Sequence, residues 1–278
     1  MPLTPDGWEA VAKEFEHKWN FPHCVGAVDG KHISICPPKN GGSYFYNYKG
    51  WHSIVLMAVV NANYEFLYVD IGTNGRVSDG GVWANTTLCS QLERGIIRLP
   101  QDMQVTGSHR TLPFVFIGDD AFPLKKNFMK PFPFKNQSDQ QRIFSYRLSR
   151  ARRTVENAFG ILSSRFRVFQ KPINLNPSEV EKIVLACTAL HNYLRREYQA
   201  DYIVQGMIDR ENLSEGTVTP GSWRDDGQLL NLQRIRHNAQ NEAKNIRIEF
   251  MSYFNEEGRV PWQQRMCGIN PRGEETEL

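Results

Sequence analysis

The sequence predicts an α/β fold, and three observations carry that prediction. Strand-like apolar stretches occupy the first 120 residues, helical periodicity dominates from about 145 to 197, and turn signals separate the elements. Strands that feed helices, with later helices available to cover the sheet, define this class. The 278 residues allow one or two domains at ~150 residues each.

The elements follow in order. Trp8, Val11, Ala12, Phe15 and Trp19 make one helical stripe, with Thr4-Pro5 as cap and first turn and Phe21-Pro22 as the stop. Cys24 to Ile35 is a predicted strand, ended by Pro37-Pro38 and Gly41-Gly42. Residues 51–60 and 65–71 are two more, and their unbroken apolar text predicts burial on both faces. A Gly-rich loop leads to a predicted helix from Val82 to Arg94, and PFVFIG (113–118) is a short strand. A helix is expected from Ser145 to Phe166, with Leu148, Ala151, Val155, Ala158, Phe159 and Leu162 on its inner face. Another spans 179–197, with Ser178 and Glu181 at capping-box spacing and Val180, Ile183, Val184, Cys187, Leu190 and Leu194 as its stripe. Beyond residue 200 the text is polar and turn-rich, up to a short helix near 240–254.

Composition excludes several classes. The longest purely apolar run, Ile54–Val60, is far short of the ~20 residues that span a bilayer. The first 19 residues carry early acids and no continuous apolar core, so no secretory signal is expected. Five cysteines form no CxxC pair, which fits reduced thiols in the cytosol or nucleus. His23, Cys24, His32 and Cys36 lack the spacing of a structural zinc site. The net charge of +3 hides a strong polarisation. Residues 125–171 hold twelve Lys/Arg against Asp139 and Glu156, a net of +10, so the remainder carries −7. This is either an electrostatic footprint for a polyanion or a solvated helix face. Tyr44, Tyr46, Tyr48 and Trp51 are open to two readings as well, stacking on unpaired bases or ordinary packing.

Three acids sit where chemistry and predicted structure coincide. Asp29 lies in the first strand within GAVDGKH, Asp119 directly follows PFVFIG at a strand's C-terminal end, and Glu156 lies beside the apolar stripe of the basic helix. Such oxygen donors suit Mg²⁺, and two ions ~3.5–4 Å apart can clamp the attacking and leaving oxygens of a phosphodiester. Each acid also has a structural reading: Asp29 or Asp119 as a turn cap, Glu156 as the partner of Arg152 or Arg153. His32 could orient Asp29 or touch phosphate, and His191 is expected to pack at a helix end.

Taken with their surroundings, these acids resemble the catalytic domain of the Harbinger (PIF) superfamily of transposases and the nucleases domesticated from them. The matching text is FPHCVGAVDGKHI, YFYNYKGWHSIVLMAVV, YVDIGTNGRVSDGGVW, LPFVFIGDDAFPL, RIFSYRLSRARRTVENAFGILSSRFRVF and EKIVLACTALHNYLR, and it covers roughly residues 8–196. MSYFNEEGRVPWQ resembles the C-terminal ends of animal members. The resemblance implies an RNase H-like mixed sheet flanked by helices and a DDE triad of Asp29, Asp119 and Glu156. It adds Asp79 of RVSDGG as a fourth metal-site acid, with Asp70 and Asp120 as weaker, structural competitors. The expected organisation is an N-terminal helix over 1–20, a DDE nuclease domain over 21–198 and a polar C-terminal extension over 199–278.

The resulting expectation is a DDE endonuclease that cleaves DNA with a divalent cation, Mg²⁺ or Mn²⁺. Arg147, Arg150, Arg152 and Arg153 are expected to hold phosphates. The alternative is a domesticated, catalytically silent scaffold in a chromatin complex. Family transposases carry an N-terminal helix-turn-helix region that the ~20 residues ahead of this domain do not accommodate. The resemblance therefore implies a Myb-like DNA-binding partner that supplies DNA contact and nuclear import. Nuclear localisation is expected, with a cytoplasmic pool when the partner is absent.

Overall fold

The computed structural model describes residues 1–39, 41–225, 229–232 and 240–269; the parts of the predicted extension at 226–228, 233–239 and 270–278 lie outside the described residues. Helix α1 (Pro5–Trp19) starts as its sequence dictates, with Thr4 accepting from the Gly7 amide at 3.3 Å, and Asn20 ends it in a left-handed conformation. Strands β1 (Cys24–Ser34), β2 (Ser53–Val60) and β3 (Phe66–Asn74) form an antiparallel meander. Next come α2 (Asp79–Asn85) and α3 (Thr87–Glu93), a hairpin of β4 (Met103–Gln104) and β5 (Thr111–Leu112), then β6 (Val115–Ile117) and β7 (Phe128–Met129). The long helix α4 (Asp139–Arg165) precedes α5 (Pro177–Glu197), the single turn α6 (Gln199–Tyr202) and a hairpin of β8 (Arg210–Asn212) and β9 (Thr217–Thr219). Strand β10 (Leu230–Asn231), α7 (Asn241–Asn255) and α8 (Gln263–Met266) complete the described chain.

The main sheet runs β3-β2-β1-β6-β7, with β6 parallel to β1 and β7 parallel to β6. This is the RNase H-like mixed sheet flanked by helices that the resemblance implied. Every residue of β2 is buried, as a central strand requires, whereas β3 is mostly half-buried because it lies at the sheet edge. Apolar continuity alone had predicted both strands to be covered on both faces. Two cores sandwich the sheet. Phe144, Leu148, Val155 and Leu162 of α4, Val180 and Val184 of α5 and Phe250 and Phe254 of α7 pack one face. Trp8 of α1, Trp83 of α2, Leu88 of α3, Phe116 and Phe128 pack the other. All six residues of the α4 stripe are buried, and truncating one such as Leu148 to Ala costs about 2–5 kcal/mol.

Several boundaries differ from the sequence reading. Helix α4 begins six residues before Ser145, because Ser138 and Gln141 form a reciprocal capping box. Helix α5 is capped by Asn176 with Glu179, not by Ser178 with Glu181, and Leu190 of its expected stripe is exposed. The helix expected over Val82–Arg94 is two helices. Thr86 breaks it by donating to the Trp83 carbonyl while accepting from the Cys89 amide, so it ends α2 and caps α3. Among the described residues no helix is long and apolar enough to cross a membrane.

Candidate active site

Side-chain alternation along β1 sorts its residues between the two cores. Asp29 and Lys31 point to the face covered by α4, where Lys31 Nζ lies 2.8 Å from Asp29 Oδ2 and 5.6 Å from the Phe159 ring centroid. Gly30 and His32 point the other way. The β1–β6 ladder ends at Ile117 paired with Ala27, two residues before Asp119 and Asp29 respectively. Gly118 then donates its amide to the Met129 carbonyl at 3.0 Å, which fixes the turn that carries Asp119. Asp119 Oδ1 accepts from the Ala121 amide at 2.9 Å, so it closes a turn as its structural reading expected, and it stays part-exposed beyond the strand.

Glu156 projects from α4 with both carboxylate oxygens engaged. Arg152, one turn earlier, reaches Oε1 at 2.7 Å, and Arg224 of the C-terminal extension reaches Oε2 at 3.5 Å. Arg152 is the link between the three acids. Burial works against its charge, yet the carboxylates of Glu156, Asp29 and Asp119 together raise it above the usual guanidinium range. Of the three, Glu156 contacts Arg152 directly; Asp29 and Asp119 act on it through their charge.

Asp79 stands apart. A Cβ built on Gly30 would lie 2.5 Å from Asp79 Oδ1 and 3.1 Å from Met57, so Asp79 packs on the face of β1 opposite to Asp29. The fourth acid that the resemblance implied is thus placed across β1 from Asp29. His32 shares that opposite face, with Nδ1 2.9 Å from Ser53 Oγ. Burial, then Lys49 and Lys31, push it down to about 4, so it is neutral and does not orient Asp29. His191 lies inside α5, with Nε2 2.7 Å from the Tyr64 carbonyl and Nδ1 2.9 Å from the Tyr202 hydroxyl, a core histidine near the helix end.

Three of the four arginines expected on phosphate are engaged internally. Arg147 is buried, donates to the Gly258 carbonyl, Gln263 Oε1 and the Asn20 carbonyl, and lies over the Phe254 ring at 4.4 Å. Arg150 and Arg153 both pair with Glu211 of β8, at 2.6 and 2.9 Å, and Arg150 also donates to the Trp19 carbonyl at 2.7 Å. The basic segment is therefore partly an internal ionic network that ties α4 to α1, β8 and the C-terminal residues.

Sequence reasoning missed Lys31, Asn157, Trp223, Arg224 and Asn231. Period-two alternation from Asp29 could have found Lys31. The others carry no local signal, because their roles come from the docking of a polar, distant segment. Asn231 of β10 pairs with Lys31 on β1, and its side-chain oxygen accepts from Lys31 Nζ.

Carboxylate oxygens are the donors a hard divalent cation takes, and three of them around one positive centre suit such an ion. Among the described residues no three acids, histidines or cysteines approach closely enough to hold a metal as they stand; Lys31 pairs with Asp29, and Arg152 and Arg224 pair with Glu156.

An RNase H-like sheet with acids on β1, after β6 and on the following long helix is the framework of a nuclease-type domain. The family model described as DDE superfamily endonuclease matches residues 28–192, and the chain belongs to that family. It is 26% identical to the Arabidopsis thaliana protein named ALP1-like over 193 residues, which is 68% of this chain and 47% of that protein. It is 26% identical to the Homo sapiens protein named "Putative nuclease HARBI1" over 195 residues, 69% of this chain and 52% of the relative. The Arabidopsis thaliana protein named Antagonist of Like Heterochromatin Protein 1 is 24% identical over 200 residues, 68% and 48% of the two chains. The chain thus spans about half the length of the curated relatives it matches. No solved structure gives a significant match.

Proposed function

We propose that this chain is a metal-dependent DDE endonuclease of transposase descent that cleaves phosphodiester bonds in DNA. The carrying observation is the family match over residues 28–192, within which Asp29 stands on β1, Asp119 just after β6 and Glu156 on α4. A divalent cation (Mg²⁺ or Mn²⁺), or a pair of them, would be held by these carboxylates and would stabilise charge on the attacking and leaving oxygens. The chain's own residues set the stage. Burial of Asp29 excludes water from one side of the site, the turn at Gly118 holds Asp119 at its rim, and Arg152 keeps the mutually repelling acids together.

The internal engagement of Arg147, Arg150 and Arg153 leaves this basic segment with fewer free phosphate contacts than its charge suggests. That supports a second, DNA-binding protein, of the Myb-like kind the family resemblance implies, as the source of target recognition and nuclear import. A relative's name that refers to heterochromatin supports the other reading, a silent scaffold in a chromatin complex, and the neutralised acids agree with it.

One experiment separates the two. Supercoiled DNA is incubated with the chain and Mg²⁺ or Mn²⁺, with and without the partner, and compared with Asp119→Ala. Metal-dependent nicking by the wild type and its loss in the variant establish the nuclease. Intact DNA in every arm favours the scaffold.

A further inference from the structure

Glu156 is held from outside the family-matched span, by Arg224. Helix α4 is built to seat that residue. Asn157, next to Glu156, accepts the Trp223 indole N–H at 2.9 Å and the Asp209 amide at 3.3 Å. Gly160, one turn on, has no Cβ where the Trp223 ring lies; a Cβ there would be 2.2 Å from Trp223 Cδ2. The Asn and Gly of VENAFG therefore serve this docking. Buried Asp209 then fixes the guanidinium from behind, accepting from Arg224 Nε at 2.9 Å and Nη2 at 2.5 Å, while the Gly221 amide also donates to it at 2.8 Å. The same Nη2 faces Glu156 Oε2.

Beside this pair lies a cleft of about 180 Å³ whose charged lining, among the described residues, is Lys31, Lys49, Arg224 and Glu156, three cations against one acid. It is smaller than the ~300 Å³ of the least small-molecule pockets, and it is positively charged. Both properties suit a single phosphate group better than a whole nucleotide.

We propose that Arg224 is a further residue of this site, an exchangeable counter-ion that holds Glu156 until a divalent cation takes the carboxylate and then contacts the DNA phosphate. The proposal rests on the nuclease reading above. A dication that binds Glu156 must displace the guanidinium, so Arg224 competes with metal and favours the anionic substrate. The two effects of removing it have opposite signs, which a purely structural role would not produce.

The test is calorimetric titration of Mn²⁺ alone into the full chain, followed by binding of a duplex oligonucleotide in Mn²⁺. Arg224→Gln is expected to bind Mn²⁺ about fivefold more tightly and the duplex about fivefold more weakly, the scale of a part-exposed ion pair. In a Glu156→Gln background the gain in Mn²⁺ affinity should vanish. Should the Gln variant fail to fold, Arg224→Lys keeps a charge against Asp209 but lacks the planar fork that spans Asp209 and Glu156, and shifts both affinities in the same directions. Unchanged or weaker Mn²⁺ binding, or unchanged duplex binding, overturns the proposal while leaving the triad in place. A wild type that binds no Mn²⁺ overturns the triad as a metal site together with this proposal.

Discussion

Arg150 and Arg152 sit two residues apart on α4 with the same charge, and they belong to different parts of the molecule. Arg150 is buried between Glu211, the Trp19 carbonyl and the Trp262 ring, where it joins α4 to the N-terminal helix and to β8. Arg152 pairs with Glu156 and is further stabilised as a cation by the charges of Asp29 and Asp119. A helix turns about 100° per residue, so a step of two moves a side chain to the far edge. Charge density along the sequence cannot see that step. The lesson is that α4 has a structural edge and a chemical edge, and each can be broken without the other.

The largest expected effect comes from the chemical edge. Glu156→Gln keeps volume and helix propensity nearly unchanged while removing one carboxylate charge from the proposed metal site. Cleavage should fall by about a thousandfold or more, which corresponds to about 4 kcal/mol of lost transition-state stabilisation. Because Glu156 also pairs with Arg152 and Arg224, the melting temperature should fall somewhat, so cleavage is compared per folded molecule. Full cleavage by the variant would show that α4 has no chemical edge at this position.

The structural edge gives the reverse pattern. Glu211 takes Arg150 on one oxygen and Arg153 and the Tyr146 hydroxyl on the other. Glu211→Ala leaves two guanidiniums in a half-closed site without their partner and should cost about 3 kcal/mol, with the activity per folded molecule retained. The pH dependence follows from the same contacts. Burial works to raise the Glu211 carboxyl, but Arg150, Arg153 and Tyr146 hold it below its ordinary value. Its contribution is thus fully present above the unfolded value of about 4.5 and is lost as pH falls through the lower folded value. Acid melting of the wild type should steepen in that range, and Glu211→Ala should lose that component. An unchanged acid profile would remove Glu211 from the account.

The sequence made most of the fold legible, since it rests on periodicity. The strands that carry Asp29 and precede Asp119, and the stripe of α4, follow from residues that must be buried. The placement of Asp29 on β1, Asp119 after β6 and Glu156 on α4 was legible because strand position and motif spacing are local properties. The rest depends on contacts between distant segments. Asp79 reads like a fourth acid along the chain, but packing against Gly30 puts it on the other face of the sheet. The role of Arg224 is set by Asn157 and Gly160, some 65 residues earlier, and the polar text around it gives no hint. The start of α4 was missed for a smaller reason: QSDQQR has no apolar stripe, and a capping box at Ser138 decides the boundary instead.

That cap gives the smallest effect and the cleanest control on the comparison. Ser138 accepts from the Gln141 amide while Gln141 returns a bond to the Ser138 amide, so two N-terminal donors of α4 are satisfied. Ser138→Ala should cost about 1 kcal/mol, read as a lower denaturant midpoint with an unchanged slope. Eighteen residues at 1.5 Å each separate Ser138 from Glu156, about 27 Å along the helix axis. Between them, buried Phe144, Leu148 and Ala151 pin the helix to the sheet and Arg147 and Arg150 pin it to its neighbours. Fraying of the first turn should therefore stop well short of the acids, and neither Mn²⁺ affinity nor cleavage should change. A drop in either would mean that the first turn of α4 helps to aim Glu156, and that the structural and chemical edges are coupled along the helix rather than separated across it.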